Sequence, residues 1–202
     1  MKKKKFISIE GGEGAGKTTH AILLKKYIEN KGKEVLLTRE PGGTKLTEII
    51  RSILLKKNFE KITPITELLL YEASRAQHVK EVILPALKTK KVVICDRFID
   101  ATVAYQGYGR NLNLKLINML NSITSFNLNP LLTIYLDVLP IYGIRRANKN
   151  RLEEESINFH NNVRNGYLHQ VKKYPNRIKL IKVQKKINMT QKLIREIVDM
   201  VL

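Results

Sequence analysis

Apolar residues recur along this chain in two alternating registers. Short unbroken runs at Phe6 to Ile9, Val35 to Thr38, Val92 to Cys95, Leu131 to Val138 and Ile178 to Val183 have the length and composition of buried strands. Between them the apolar positions fall three and four residues apart, the spacing of one helix face. Ala21, Ile22, Leu24 and Ile28 form the first such stretch, and Asn30-Lys31-Gly32 stops it. Leu46, Ile49, Ile50, Ile53 and Leu54 make a second stripe. Thr63-Pro64 opens a longer helix through Leu68, Leu69, Ala73, Ala76, Val79, Val82 and Ile83, with Pro85 a kink near its end. Gly107 and Gly109 read as a loop, Leu114 to Phe126 as a helix, and Ile141 to Ala147 as another. A polar stretch, Asn148 to Arg151, precedes a helix expected from Glu153 to Tyr174, and Thr190 to Leu202 forms the last. Five apolar strands separated by helices predict an α/β fold with a parallel sheet covered on both faces.

At 202 residues and 43% hydrophobic content the chain can bury one core and hardly two, so one domain over 1–202 is expected. Lys2 to Lys5 precede too short an apolar run for a signal peptide, and no stretch approaches a membrane span. A soluble, cytoplasmic chain without a membrane partner follows, in keeping with the solitary Cys95. The formal charge of +19 favours anionic partners. Its excess is mostly lysine spread along the whole chain, which reads as a solvated surface, and no specific nucleic-acid partner is expected.

The first strand runs directly into Gly11-Gly12-Glu13-Gly14-Ala15-Gly16-Lys17-Thr18, which satisfies G-x-x-x-x-G-K-[ST]. Glycines let successive backbone N–H groups turn inward around phosphates, the lysine reaches the outer phosphates, and the threonine hydroxyl can hold magnesium. The strand before and the helix after supply the setting that the motif needs. An N-K-x-D base-reading motif is absent, since Asn148-Lys149 is followed by Asn150-Arg151, so a small-molecule kinase is favoured over a common GTPase.

Arg39-Glu40-Pro41-Gly42-Gly43-Thr44, Tyr71-Glu72-Ala73-Ser74-Arg75, Asp96-Arg97-Phe98 and Ala104-Tyr105-Gln106-Gly107 follow in order, and here the chain resembles bacterial thymidylate kinase. The resemblance implies a three-layer P-loop NTPase-type fold with a five-stranded parallel sheet and a short lid at about 145–153. It also implies a homodimer that passes the γ-phosphate of ATP to dTMP, with magnesium, in dTTP synthesis. Lys17 and the loop amides would hold ATP, joined by Thr19 and Arg145; Thr18, Asp96 and Glu153 would serve the metal. Glu13, Arg39, Pro41, Arg51, Tyr71, Arg75, Arg97, Thr102, Tyr105, Gln106 and Glu153 would surround dTMP. Tyr71 would stack on thymine, Arg75, Thr102 and Gln106 would meet its edge, and Arg51 and Arg97 its phosphate. Lys17, Glu13, Arg97, Lys149 and Arg151 would be catalytic, the last two as lid cations.

Two departures stand out. Related lids read G-x-x-D-R-[IF]-E, whereas Asn148-Lys149-Asn150-Arg151-Leu152-Glu153 lacks the glycine and the aspartate. The D-A pair that borders adenine in relatives is replaced by Lys182-Val183-Gln184-Lys185-Lys186. A kinase of another monophosphate and a basic nucleic-acid-binding ATPase are the alternatives to weigh.

Overall fold

The computed structural model describes residues 4–56, 61–146 and 151–202. Five parallel strands, β1 (Phe6–Gly11), β2 (Val35–Arg39), β3 (Val92–Asp96), β4 (Leu132–Asp137) and β5 (Ile178–Lys182), lie in the order β2-β3-β1-β4-β5. The central strands β1, β3 and β4 are buried at every position, as continuous apolar runs require, while the edge strands β2 and β5 are only partly covered. Ile9 pairs with Asp96, Arg39 also pairs with Asp96, and Gly11 pairs with Leu136. The carboxyl ends of β1, β2 and β3 therefore deliver Glu10-Gly11, Arg39-Glu40 and Asp96-Arg97 to one rim, where open α/β sheets bind ligands.

The helices are α1 (Lys17–Glu29), α2 (Lys45–Leu55), α3 (Pro64–His78), α4 (Leu84–Lys88), α5 (Ile99–Thr102), α6 (Leu114–Thr124), α7 (Pro140–Ile144), α8 (Ile157–Lys173) and α9 (Ile187–Asp199). One core layer sets α1 and α9 against the sheet through Leu24, Ile28, Ile94, Ile134, Ile194 and Val198. The opposite face is covered by Val79 and Ile83 below β3, and by Phe159, Val163 and Tyr167 of α8 below β4.

Several sequence expectations are corrected. On α2, Leu46 and Ile49 point outward, at 51% and 59% exposure, and Thr47, Ile50 and Leu54 face in. On α3, Leu69 is exposed, and the buried face carries Glu67, Leu68, Glu72, Ser74, Arg75 and His78; charge enters because each carboxylate has a cationic or hydrogen-bonding partner. α3 runs into a π-helical turn at Val79–Ile83, which widens the helix just before Pro85, so that Pro85 sits in the first turn of α4.

Gly107 and Gly109 do not form a loop. They lie in a second π-helical stretch, Val103–Gly109, where a Cβ on Gly109 would stand 2.6 Å from the Phe159 ring, so glycine serves close packing on α8. α7 ends at Ile144 and Arg145-Arg146 form a turn, so the expected helix stops short; its last residue, Ala147, and the centre of the lid fall at 147–150, outside the described residues. Glu153 lies in a turn; α8 starts at Ile157, where Ser156 accepts a hydrogen bond from the Phe159 amide at 3.2 Å. α6 stops at Thr124 rather than Phe126, because Phe126 and Asn127 turn left-handed. α9 begins at Ile187, one turn early, and the Thr190 hydroxyl accepts from the Gln184 amide instead.

Candidate active site

β1 passes into the phosphate loop, and Gly16, at φ 82°, turns the chain into α1 without a side-chain cap on the first N–H groups. Those donors are left for an anion. Lys17 is buried, and its ammonium donates to the Gly12 carbonyl at 2.8 Å. Burial, with the like charge of Arg97, pushes its pKa down. The Thr18 hydroxyl donates to Asp96 Oδ2 at 2.6 Å, joining the loop to the end of β3; Thr19, the next residue, is exposed. A contact that sequence reasoning missed fixes the loop from above. A Cβ on Gly14 would lie 2.0 Å from the Gly143 carbonyl oxygen, and a Cβ on Gly143 would lie 2.3 Å from that of Glu13, so α7 seats directly on the loop backbone.

Beside the loop opens a cleft lined by Glu13, Glu40, Pro41, Arg51, Leu55, Tyr71, Arg75, Arg97, Ala101, Thr102, Tyr105, Gln106 and Leu152. Every residue expected around the acceptor is there except Arg39 and Glu153. Glu13 Oε1 accepts from Arg97 Nη2 and from the Tyr105 hydroxyl, each at 2.7 Å. Burial alone would raise the Glu13 pKa, but Arg97, then Lys17 and Tyr105, hold it at about 2. The acid inside an anion site is thus paid in cations already present.

Arg97 is the pivot. Its guanidinium lies 4.7 Å from the Tyr105 ring centre and donates to the Gly11 carbonyl at 3.0 Å. Its backbone is left-handed, φ 71°, a conformation that costs on the order of 1–3 kcal/mol for a residue with a side chain. The next amide, Phe98 N–H, donates to Glu10 Oε1 at 2.6 Å, which holds that conformation. Arg51 donates to the Pro41 carbonyl at 2.8 Å, after the cis Glu40–Pro41 bond; burial and the Arg39 charge lower its pKa, marking a surplus of positive charge for an anion to neutralise.

Glu67, Tyr71 and Arg75 share one face of α3. Arg75 is 3% exposed, with Nε on Glu40 Oε2 at 2.8 Å and Nη1 on Glu72 Oε1 and Thr102 Oγ1, each at 2.8 Å. Its Nη2 has no partner among the described residues. Burial raises the pKa of Tyr71, so it enters the cleft as a neutral phenol. Behind them His78 bridges Glu40 and Thr38, and Cys95 donates to the Arg97 carbonyl at 3.0 Å. Glu40, His78 and Cys95 lie within 4.8 Å of one another, but each is committed to these hydrogen bonds.

The remaining expected residues lie elsewhere. Arg39 stands at the rim, half exposed, clasped by both oxygens of Glu48 at 2.9 Å. Arg145 is exposed at the end of α7, while its neighbour Arg146 borders a second groove with Tyr142, Arg164 and Lys182 to Lys185. Asp137 anchors that groove by accepting from Arg164 Nε at 2.7 Å and Nη2 at 2.9 Å. Arg151 turns away from the loop: its Nη2 donates to Glu67 Oε2 at 2.6 Å and its Nε to the Leu54 carbonyl at 2.8 Å. Glu153 is half-buried in the turn before α8, and its backbone bonds the His160 ring. Lys149 lies outside the described residues.

Sequence reasoning missed the buried carboxylates that hold these cations: Glu10, Glu40, Glu67 and Glu72. A signal existed for two of them, since Glu67 and Glu72 lie eight and three residues before Arg75 on a helix that was read for its leucines.

The sequence profile of the family described as thymidylate kinase matches residues 9–194. A thymidylate kinase of Clostridium novyi is 44% identical over 194 residues, covering 93% of this chain and 95% of that protein. One from Bacillus cytotoxicus is 46% identical over 182 residues, covering 87% and 88%. The crystal structure of thymidylate kinase from Ehrlichia chaffeensis superposes with a TM-score of 0.83 at 34% identity, over 97% of this chain and 98% of that one. With the phosphate loop, the five-stranded parallel sheet and the adjoining cleft in place, the chain belongs to the thymidylate kinase family.

Proposed function

We propose how this site carries out the family's reaction, transfer of the γ-phosphoryl group of ATP to dTMP to give dTDP. The observation that carries the reading is the cleft, which gathers the acceptor-side residues within reach of the phosphate loop. ATP lays its β- and γ-phosphates along the amides of 11–16 and Lys17, with its base toward the groove at Tyr142 and Arg146. The dTMP base enters the cleft against Tyr71, its edge toward Arg75, Thr102 and Gln106, its sugar by Tyr105, and its phosphate between Arg51 and Arg97. Tyr105 beneath the sugar disfavours a ribose 2′-hydroxyl. Acceptor and donor phosphates then face each other in line, with Arg97 and Lys17 offsetting charge on the equatorial oxygens. Glu13 holds Arg97 in position by its pair at 2.7 Å.

Magnesium fits the Thr18–Asp96 pair, two hard oxygen donors 2.6 Å apart at the mouth of the loop, with Glu153 a third oxygen ligand by resemblance. When bound there, the ion would supply positive charge against the charge that develops on the phosphates. For the lid at about 145–153, the pair of Arg151 with Glu67 makes it a clamp over the acceptor, leaving Arg145 and Lys149 as the cations for the transferred group.

The reading extends to a single catalytic domain over 1–202 that works in the cytoplasm, where its substrates are made. No helix among the described residues is long and apolar enough to cross a membrane. It also includes a homodimer. Leu46 and Ile49 of α2, Ile65 and Leu69 of α3 and Met119 and Ile123 of α6 are 43–61% exposed on three helices that pack side by side, an apolar face of the kind that pairs.

ADP release with ATP and magnesium, offered dTMP, dUMP, dCMP, dGMP and AMP in parallel, tests the assignment. Turnover selective for dTMP is expected, and preference for a purine or for dCMP would overturn the base contacts.

A further inference from the structure

Gln106 can present either end of its amide to a base, and something must choose. Its Nε2 donates to Glu67 Oε1 at 2.9 Å, and its carbonyl oxygen has no partner among the described residues while the side chain lines the cleft. Glu67 is fully buried on α3. Burial alone would favour its neutral form, but Arg110, Gln106 and Arg151 hold its pKa below the ordinary value, so it stays ionised. An ionised carboxylate only accepts hydrogen bonds. The amide orientation with nitrogen toward Glu67 and oxygen toward the cleft is therefore the one that both residues satisfy.

We propose that Glu67 is a specificity-determining residue that sets the pyrimidine preference by locking the Gln106 amide with its oxygen toward the base. The inference rests on the reading that Gln106 meets the base edge. With the lock in place the cleft offers a donor from Arg75, itself fixed by Glu40 and Glu72, beside an acceptor from Gln106. Thymine and uracil present O4 as an acceptor beside N3–H as a donor, which complements that pair. Cytosine presents an N4 amino donor beside an N3 acceptor, which opposes it at both positions. Discrimination then arises from unpaired and repelling polar groups, the means by which small polar differences are read most sharply. Glu67 also holds Arg110 and Arg151, at 3.0 and 2.6 Å, so the residue that sets the base reader fastens the segment closing over it.

Glu67→Gln keeps the size but can donate as well as accept, so both orientations of Gln106 become available. The ratio of kcat/KM for dTMP over dCMP is expected to fall by about 10- to 100-fold, the value of one mismatched hydrogen-bond edge. The ratio for dTMP over dUMP, which differ only by a methyl group, should stay as it was. Arg151→Met separates the two tasks of Glu67, and should slow all three acceptors while keeping the dTMP over dCMP ratio. A Glu67→Gln ratio equal to the wild type overturns the proposal. If that variant does not fold, side-chain amide NMR on the wild type decides. Protected Gln106 Nε2 protons are expected, and free exchange with solvent overturns the lock. Gln106→Met tests the underlying reading: an unchanged KM for dTMP removes Gln106 from the base site, whereas a raised KM with an unaffected Glu67→Gln ratio overturns the lock alone.

Discussion

Glu10, the next-to-last residue of β1, is fully buried, with no cation in ion-pair contact among the described residues. Ser8 Oγ and the Phe98 amide donate to its Oε1, and the Tyr167 hydroxyl to its Oε2 at 2.9 Å. Burial, reinforced by the negative charge of Asp100, outweighs these donors and the charge of Arg97 and raises its pKa from 4.5 to about 7. Below pH 4.5 the carboxyl is protonated in both folded and unfolded chains. Between 4.5 and 7 the unfolded chain ionises while the folded one keeps its proton, so stability falls as pH rises; above 7 the loss is complete and constant. At about 1.4 kcal/mol per pH unit the gap amounts to roughly 3 kcal/mol. Glu10→Gln keeps the shape and does not titrate. Its stability relative to wild type should therefore improve by roughly 3 kcal/mol between pH 4.5 and 8, about 6–12 °C in Tm for a chain of this size. Urea midpoints of both proteins across that range measure it, since the other carboxylates cancel in the difference. A difference that does not change with pH, or one that moves against the variant as pH rises, refutes the argument that burial dominates this site.

Three further outcomes are expected. Lys17→Ala should lower kcat by about 1,000-fold or more with the circular dichroism unchanged, if its ammonium serves the transferred phosphates as proposed; near-normal turnover would remove the loop from the chemistry. Gly143→Ala drives a methyl to within 2.3 Å of the Glu13 carbonyl, so it should lower the urea midpoint by the equivalent of about 1–3 kcal/mol and reduce turnover, and a silent variant would mean that α7 does not rest on the loop. On the proposed homodimer, wild-type protein should sediment as a dimer and Ile49→Glu, at 59% exposure, as a folded monomer; a monomeric wild type would overturn the dimer, and a variant dimer would place the pairing face elsewhere.

The strands were legible because buried parallel strands need unbroken apolar runs, and such runs are rare by chance. The phosphate loop was legible because its glycines and its lysine answer one local demand, which a linear pattern can state. Helix faces were read less well. α2 and α3 each carry apolar residues on both sides, and periodicity cannot tell a stripe that packs on the sheet from one left for another surface, as Leu46, Ile49 and Leu69 illustrate. The π-helical turns were also hidden, since Gly107 and Gly109 look the same whether glycine bends a loop or admits a neighbouring ring.

By itself the sequence determined the strand set and the loop, and through the family resemblance it named most of the residues that line the cleft. Tertiary structure decided their states and partners. It brought Arg97 to Glu13 across 84 residues and Arg151 to Glu67 across the same span, and it buried Glu10 so fully that desolvation outweighs the charge of nearby Arg97. The reason is physical: a propensity or a glycine turn is settled within a few residues, whereas the charge of a carboxylate and the orientation of an amide depend on desolvation and on partners that only the folded chain brings within 3 Å.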